Sequence, residues 1–312
     1  MIEAHALTKR FGDKTAVDHL SFEVRPGRVT GFLGPNGSGK STTMRLLLGL
    51  DRPNSGGSTI NGKRYGDLPA PLREVGALLE ARAVHTGRTA RNHLLAMAAT
   101  NGIPKRRVDD LIGLVGLDGV ADKRVGGFSL GMGQRLGIAS ALLGDPQVLL
   151  LDEPVNGLDP EGIRWIRNLL KALAAEGRTV FVSSHLMSEM ALTATEIIVV
   201  GRGKLITTGS VADVVRRAAG ASVLVRTDEA RRFGALLVDA GHQVERSATD
   251  TLIVTGADSA TVGRIAAQEA IPLVELTPQH ATLEEAFMEI TRDAVEFAAE
   301  LPASADTTGA TR

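Results

Sequence analysis

The sequence predicts an α/β fold on a mixed sheet, with a β-rich layer and a helical subdomain, followed by a small α+β module of ferredoxin-like order. Three observations carry this. A glycine-rich turn, Gly34-Pro35-Asn36-Gly37-Ser38-Gly39-Lys40-Ser41-Thr42, joins an apolar run at 29–33 to another at 44–48. Two more strand-sized apolar runs end in chemically capable side chains, the first in Asp152-Glu153 and the second in His185. After residue 217 the order becomes strand, helix, strand, strand, helix, strand.

The glycine-rich turn has the form of a phosphate-binding loop. Glycines at 34 and 39 let the backbone wrap closely, so that consecutive N–H groups converge on phosphate oxygens, and the following helix aims its positive end at the same anion. Lys40 stands where it neutralises β- and γ-phosphates, and Ser41 where its hydroxyl holds Mg²⁺. Adjacent carboxylates at the exit of a buried strand are costly unless a cation and a proton-acceptor role account for them. In phosphoryl transfer one carboxylate shares the metal and another orients or deprotonates water, roles that fit Asp152 and Glu153 in that order. His185 sits at the strand edge where ligands of open parallel sheets collect, and reads as a donor to the γ-phosphate or to water.

Composition bounds the rest. A chain of 312 residues holds one large α/β domain and something smaller. Its 35 basic and 36 acidic residues leave a formal charge of −1, so no global field draws it to nucleic acid or an anionic membrane. The absence of cysteine excludes disulfides, thiolate metal sites and cysteine nucleophiles. The first residues lack a basic and apolar leader pattern, so no secretory signal is expected, and no apolar run approaches the roughly 20 residues that span a bilayer.

Taken in order, residues 3–33 alternate around turn signals and form the β-rich layer. Within it, Phe11 follows Lys9-Arg10 and precedes a turn glycine. It is either a platform for a flat base or ordinary strand-end packing, and position alone favours packing. Residues 49–62, rich in Gly, Pro, Asn and Ser, read as a loop with a tight turn at 59–62. Residues 75–80 read as a strand ending in the carboxylate of Glu80. Helical periodicity from 89 to 143 places the helical subdomain at about 81–145. That subdomain closes on Phe128-Ser129-Leu130-Gly131-Met132-Gly133-Gln134-Arg135, with Ser129 as N-cap of a helix whose start offers a second anion-binding end. Asn156-Gly157-Leu158-Asp159-Pro160 is a turn into another helix. Residues 196–208 form a hairpin, and 218–221 mark a boundary. Beyond it lie strands at 222–226, 242–246, 251–254 and 273–276 and helices at 228–240 and 259–270. A closing helix starts at Thr282-Leu283-Glu284-Glu285 with capping-box spacing, and the tail from 298 reads as disordered.

Together, the phosphate loop, the motif at 129–134, the Asp152-Glu153 pair, the turn at 156–159 and His185 resemble the ATP-binding subunit of ABC transporters. The resemblance covers roughly residues 1–217, leaving 218–297 as an accessory module and 298–312 as tail. It implies ATP and Mg²⁺ as cofactors and a head-to-tail pair of identical chains, in which the signature helix of one closes on ATP held by the other. It further implies adenine stacking by Phe11, phosphate and metal contacts from Lys40, Ser41 and Thr42, and a metal-side carboxylate at Asp152. Glu153 becomes the general base, His185 the γ-phosphate switch, Asp159 a cross-dimer contact, and Ser129 with the Gly131 backbone a contact to the partner's γ-phosphate.

Two positions depart from the family pattern. The usual Leu-Ser-Gly-Gly-Gln is Phe128-Ser129-Leu130-Gly131-Met132 here, which keeps Ser and the second Gly and loses the Gln side chain. Where the family carries a Gln near metal and water, this chain has Glu80, which adds charge there and could strengthen metal binding. These departures, the single cassette and the appended module resemble exporters of the daunorubicin- and bacitracin-resistance type. Such an ATPase is a separate chain at the cytoplasmic face, paired with a polytopic membrane permease and not with nucleic acid. The competing classes are a soluble ABC-type ATPase acting on nucleic acid or ribosomes, a P-loop kinase for a small molecule, and a non-catalytic regulatory binder. The first usually shows two cassettes, coiled-coil insertions or a basic linker, and none of these is present.

Overall fold

A computed structural model describes residues 1–80, 83–219, 222–279 and 282–291. The chain runs β1 (Ile2–Phe11), β2 (Lys14–Val24), β3 (Arg28–Leu33), α1 (Lys40–Leu47), β4 (Ser55–Ile60), α2 (Pro71–Glu74) and β5 (Val75–Leu78). Helices α3 (Ala90–Thr100), α4 (Lys105–Leu114) and α5 (Leu130–Leu142) follow. Next come β6 (Val148–Asp152), α6 (Pro160–Ala175), β7 (Thr179–Ser184), α7 (Met187–Thr193), β8 (Glu196–Gly201), β9 (Lys204–Ser210) and α8 (Val211–Ala219). The last part is β10 (Ser222–Arg226), α9 (Ala230–Asp239), β11 (Gln243–Arg246), β12 (Thr251–Thr255), α10 (Ser259–Gln268), β13 (Glu275–Gln279) and α11 (Leu283–Thr291).

A six-stranded mixed sheet in the order β5-β6-β7-β3-β8-β9 forms the frame, its first five strands parallel and β9 antiparallel. Its parallel strands are buried almost throughout, as both faces of such a sheet must be covered. One face meets the antiparallel β2-β1-β4 layer and α1. There Phe22, Phe32 and Phe181 cluster with centroids 5.0–5.7 Å apart, using three of the eight phenylalanines to join the layers. Over the other face lies a larger core that includes Leu94, Leu111, Leu136 and Ile166 of the helical segments. These helices are where periodicity predicts them.

Three elements differ from expectation. The stretch read as a loop at 49–62 contains β4, which pairs with β1 despite its glycines. Gly56 takes φ +75 beside the register shift between His5 and Thr8, so the glycines serve a bulged edge strand. The last strand of the module is β13 at Glu275–Gln279, later than 273–276; it lies at the sheet edge, the position in a sheet where a proline such as Pro278 is tolerated. The closing helix α11, assigned by sequence to the accessory module, inserts Leu283 and Phe287 into the larger cassette core beside Val214 of α8. Its capping box forms as the spacing predicts, with Thr282 N–H donating to Glu285 at 2.7 Å and Glu285 N–H to Thr282 Oγ1 at 3.1 Å.

Between α8 and α11 stands a four-stranded antiparallel sheet in the order β11-β12-β10-β13, with its own core of Val223, Val225, Phe233, Leu237, Leu252 and Val254. The boundary at 218–221 falls partly, and the tail at 298–312 wholly, outside the described residues. Among the described residues no helix is long and apolar enough to cross a membrane.

Candidate nucleotide site

Three neighbouring parallel strands, β6, β7 and β3, deliver their carboxyl ends to one place. Parallel strands cannot be joined by tight hairpins, so each ends in a loop on the same edge of the sheet, and polar residues placed just after them converge. From β3 comes the phosphate loop, from β6 the Asp152-Glu153 pair, from β7 His185. The result is a cleft of about 450 Å³ lined by residues 36–42 together with Phe11, Lys14, Ala16, Leu79, Asp152 and Glu153.

Glycine conformations shape the loop. Gly37 and Gly39 take φ +82 and +100, and a Cβ on Gly39 would collide with the carbonyl of Ala16. Only glycine fits there. Helix α1 begins at Lys40 with no side-chain cap, so its first N–H groups are left for a ligand. The Ser38 hydroxyl is buried without a partner, as a donor to a phosphate oxygen would be. Lys40, 7% exposed, directs Nζ to the carbonyls of Gly34 at 2.6 Å and Pro35 at 3.2 Å. Burial lowers its pKa, while the charges of Glu153 and Asp152 push it back up.

Opposite the loop, the acid pair is held by β7. The Ser183 hydroxyl donates to Asp152 and accepts from the Glu153 N–H at 3.0 Å. Glu153 has φ +50, a left-handed conformation unfavourable for a residue with a Cβ. Its carboxylate lies 2.8 Å from His185 Nδ1. Carboxylate and imidazole are joined directly. Among the described residues no three His, Asp or Glu side chains gather to hold a metal. Ser41 and Asp152, both on the cleft, supply one hydroxyl and one carboxylate, the sparse protein ligation that suits Mg²⁺ shared with phosphate and water.

Phe11 stands at the cleft mouth, 52% exposed, with Lys9 Nζ 5.0 Å from its ring centroid. An exposed face at the rim is what stacking needs, and core packing is not its role. Glu80 is exposed and outside the lining, because the chain leaves the sheet at Leu78 and Leu79 takes the position facing the cleft. Ser129, Gly131 and Asp159 also lie outside it. They gather around the turn after β6: Ser129 caps α5 through Met132 N–H at 3.2 Å, Asp159 caps α6 through Gly162 N–H at 2.9 Å, and a Cβ on Gly131 would sit 2.7 Å from the Gly157 carbonyl. Sequence reasoning passed over Ser183 and the lining residues Lys14, Ala16 and Leu79. The serine pair Ser183-Ser184 closing a buried strand after the apolar run at 180–182 was the available signal for the first.

A glycine-moulded anion cradle facing a fixed acid pair at the carboxyl edge of a parallel sheet defines a P-loop nucleotide hydrolase. An ATP-binding relative 33% identical over 93% of this chain shows that the chain belongs to the ABC transporter ATP-binding proteins, as a nucleotide-binding ATPase of that family. The family's profile, described as ABC transporter, matches residues 17–156, and a domain of unknown function, DUF8746, matches 221–284. The bacitracin transport ATP-binding protein BcrA of Bacillus licheniformis is 44% identical over 209 residues, 66% of this chain and 68% of that protein. The Nod factor export ATP-binding protein I of Ralstonia nicotianae is 33% identical over 301 residues, 93% and 94% of the two chains. A solved ATP-binding subunit of an ABC transporter superposes with a TM-score of 0.64 at 26% identity, covering 70% of this chain and 92% of its own.

Proposed function

We propose that this ATPase powers export through a separate polytopic membrane subunit, working at the inner membrane face as a head-to-tail pair of identical chains. One observation carries the pairing: Ser129, Gly131 and Asp159 lie away from the cleft of their own chain, although Ser129 opens a helix that can receive an anion. A second copy completes the site by bringing its signature helix to the γ-phosphate. Transport through another chain draws on the relatives, which are named for bacitracin transport, lantibiotic transport and Nod factor export. Relatives named for cargoes so unlike one another support a reading in which selectivity belongs to the membrane subunit. The cargo class proposed here is a drug-like, peptide-antibiotic or lipid-like compound.

Within each site, Phe11 stacks the adenine while Lys40, Thr42 and the N–H groups of Asn36, Gly37 and Gly39 hold the phosphates. Ser41 and Asp152 would hold Mg²⁺, which would supply charge neutralisation for the phosphates. Glu153 accepts a proton from the attacking water, and His185 keeps its carboxylate directed and donates toward the γ-phosphate. General-base removal is worth roughly 10²–10⁴-fold in rate. Pairing on ATP would move the permease, and hydrolysis would release it. We read the unit at 222–279 as a ferredoxin-like module that clamps the pair.

Steady-state hydrolysis measured against protein concentration tests this. Turnover rising faster than linearly, and lost in Glu153→Gln with ATP binding kept, is expected. Strictly linear turnover would argue against a shared site.

A further inference from the structure

The signature helix and the catalytic carboxylate of the same chain are joined by one buried side chain. Gln134 lies in α5, five residues past its N-cap Ser129, and is 3% exposed. A buried carboxamide needs partners, and its Nε2 donates to the main-chain carbonyl of Glu153 at 3.1 Å. That carbonyl also accepts from Asn156 N–H at 3.2 Å, while the Glu153 N–H is held by Ser183 at 3.0 Å to Oγ and 3.3 Å to the carbonyl. Glu153 is thus gripped on both sides of a left-handed backbone that it would not hold unaided. One of the grips belongs to α5. The same helix abuts the turn after Glu153 at Gly131 and Gly157.

We propose that Gln134 is a positioning residue which ties the register of the signature helix to the direction of the Glu153 carboxylate. When α5 closes on the partner's ATP, the shift at its N-terminus reaches Glu153 through this bond, so each site's base is aligned only once its own chain has engaged the other site. Hydrolysis at the two sites is thereby linked without a contact between the two nucleotides. This inference rests on the paired-site reading above.

The test uses the full chain, with its membrane subunit where turnover requires it. Gln134→Met keeps size and helix propensity and removes the donor. A misdirected base should lower kcat about 10–100-fold, with KM for ATP within about twofold. ATP-dependent pairing, read by light scattering in a Glu153→Gln background, should be as strong with Gln134→Met added as without it. The double variant should turn over no more slowly than Glu153→Gln alone, because both changes remove one function. Wild-type kcat in Gln134→Met, or additive losses in the double variant, would overturn the proposal. So would lost pairing, which marks a structural role. If Gln134→Met does not fold, Gln134→Asn carries the test: it keeps the amide one carbon short, and a kcat-only loss supports the role while wild-type kcat overturns it. Intact turnover in Glu153→Gln would instead sink the underlying assignment of the base.

Discussion

The six-stranded sheet and the four-stranded sheet of this chain solve opposite problems. In the first, parallel strands send their loops to one edge, where the buried Lys40, the left-handed Glu153 and the unpartnered hydroxyl of Ser38 are kept together. The second alternates direction, so its loops divide between two edges, and its charged residues form exposed pairs such as Arg226 with Asp250 and Glu275. Strain and unsatisfied polar atoms persist only where surrounding structure over-determines them. The comparison teaches that a parallel edge collects the polar groups of the cleft in one place, whereas the antiparallel sheet keeps its ion pairs at the surface.

Four substitutions can break or sharpen that contrast. Glu153→Gln should cause the largest change, a fall of roughly 10²–10⁴-fold in turnover, with nucleotide affinity measured by fluorescent-analogue titration left in place. Phe233→Ala, which empties the middle of the module's core, should destabilise that unit by about 3–5 kcal/mol in chemical denaturation. Pairing should weaken while turnover per formed pair persists; its loss in the formed pair would mean that the module takes part in catalysis. Thr282→Ala removes half of the α11 capping box and should cost about 1 kcal/mol. Since α11 packs in the cassette core, the loss should appear in the cassette's unfolding transition, and a change confined to the module's transition would return the helix to the module. Arg226→Ala, on an exposed ion pair, should shift stability by less than about 1 kcal/mol, and salt should erase the difference. A larger effect would mean that this surface is covered in the assembled protein.

Legibility differed from residue to residue. The phosphate loop, the acid pair and the imidazole were readable because each is a short local motif whose chemistry follows from residue type and neighbours. Phe11 was ambiguous by position alone, the family resemblance made it a platform for adenine, and the fold leaves its ring exposed on the cleft lining. Glycine content argued against a strand at 55–60, yet pairing with β1 prevailed there, as tertiary context overrides β-propensity at an edge. Ser183 and Gln134 act through main-chain atoms brought close from 30 and 19 positions away, which no local pattern encodes.

By itself, the sequence determined most of the elements and the local motifs that reach the cleft, because hydrophobic period, glycine placement and capping are properties of neighbouring residues. Tertiary structure alone decided that Glu153 is gripped by Ser183 and Gln134, that Leu79 and not Glu80 lines the cleft, and that α11 returns to the cassette core. Each of these depends on what a distant segment leaves room for, and close packing settles that only when the whole chain is in place.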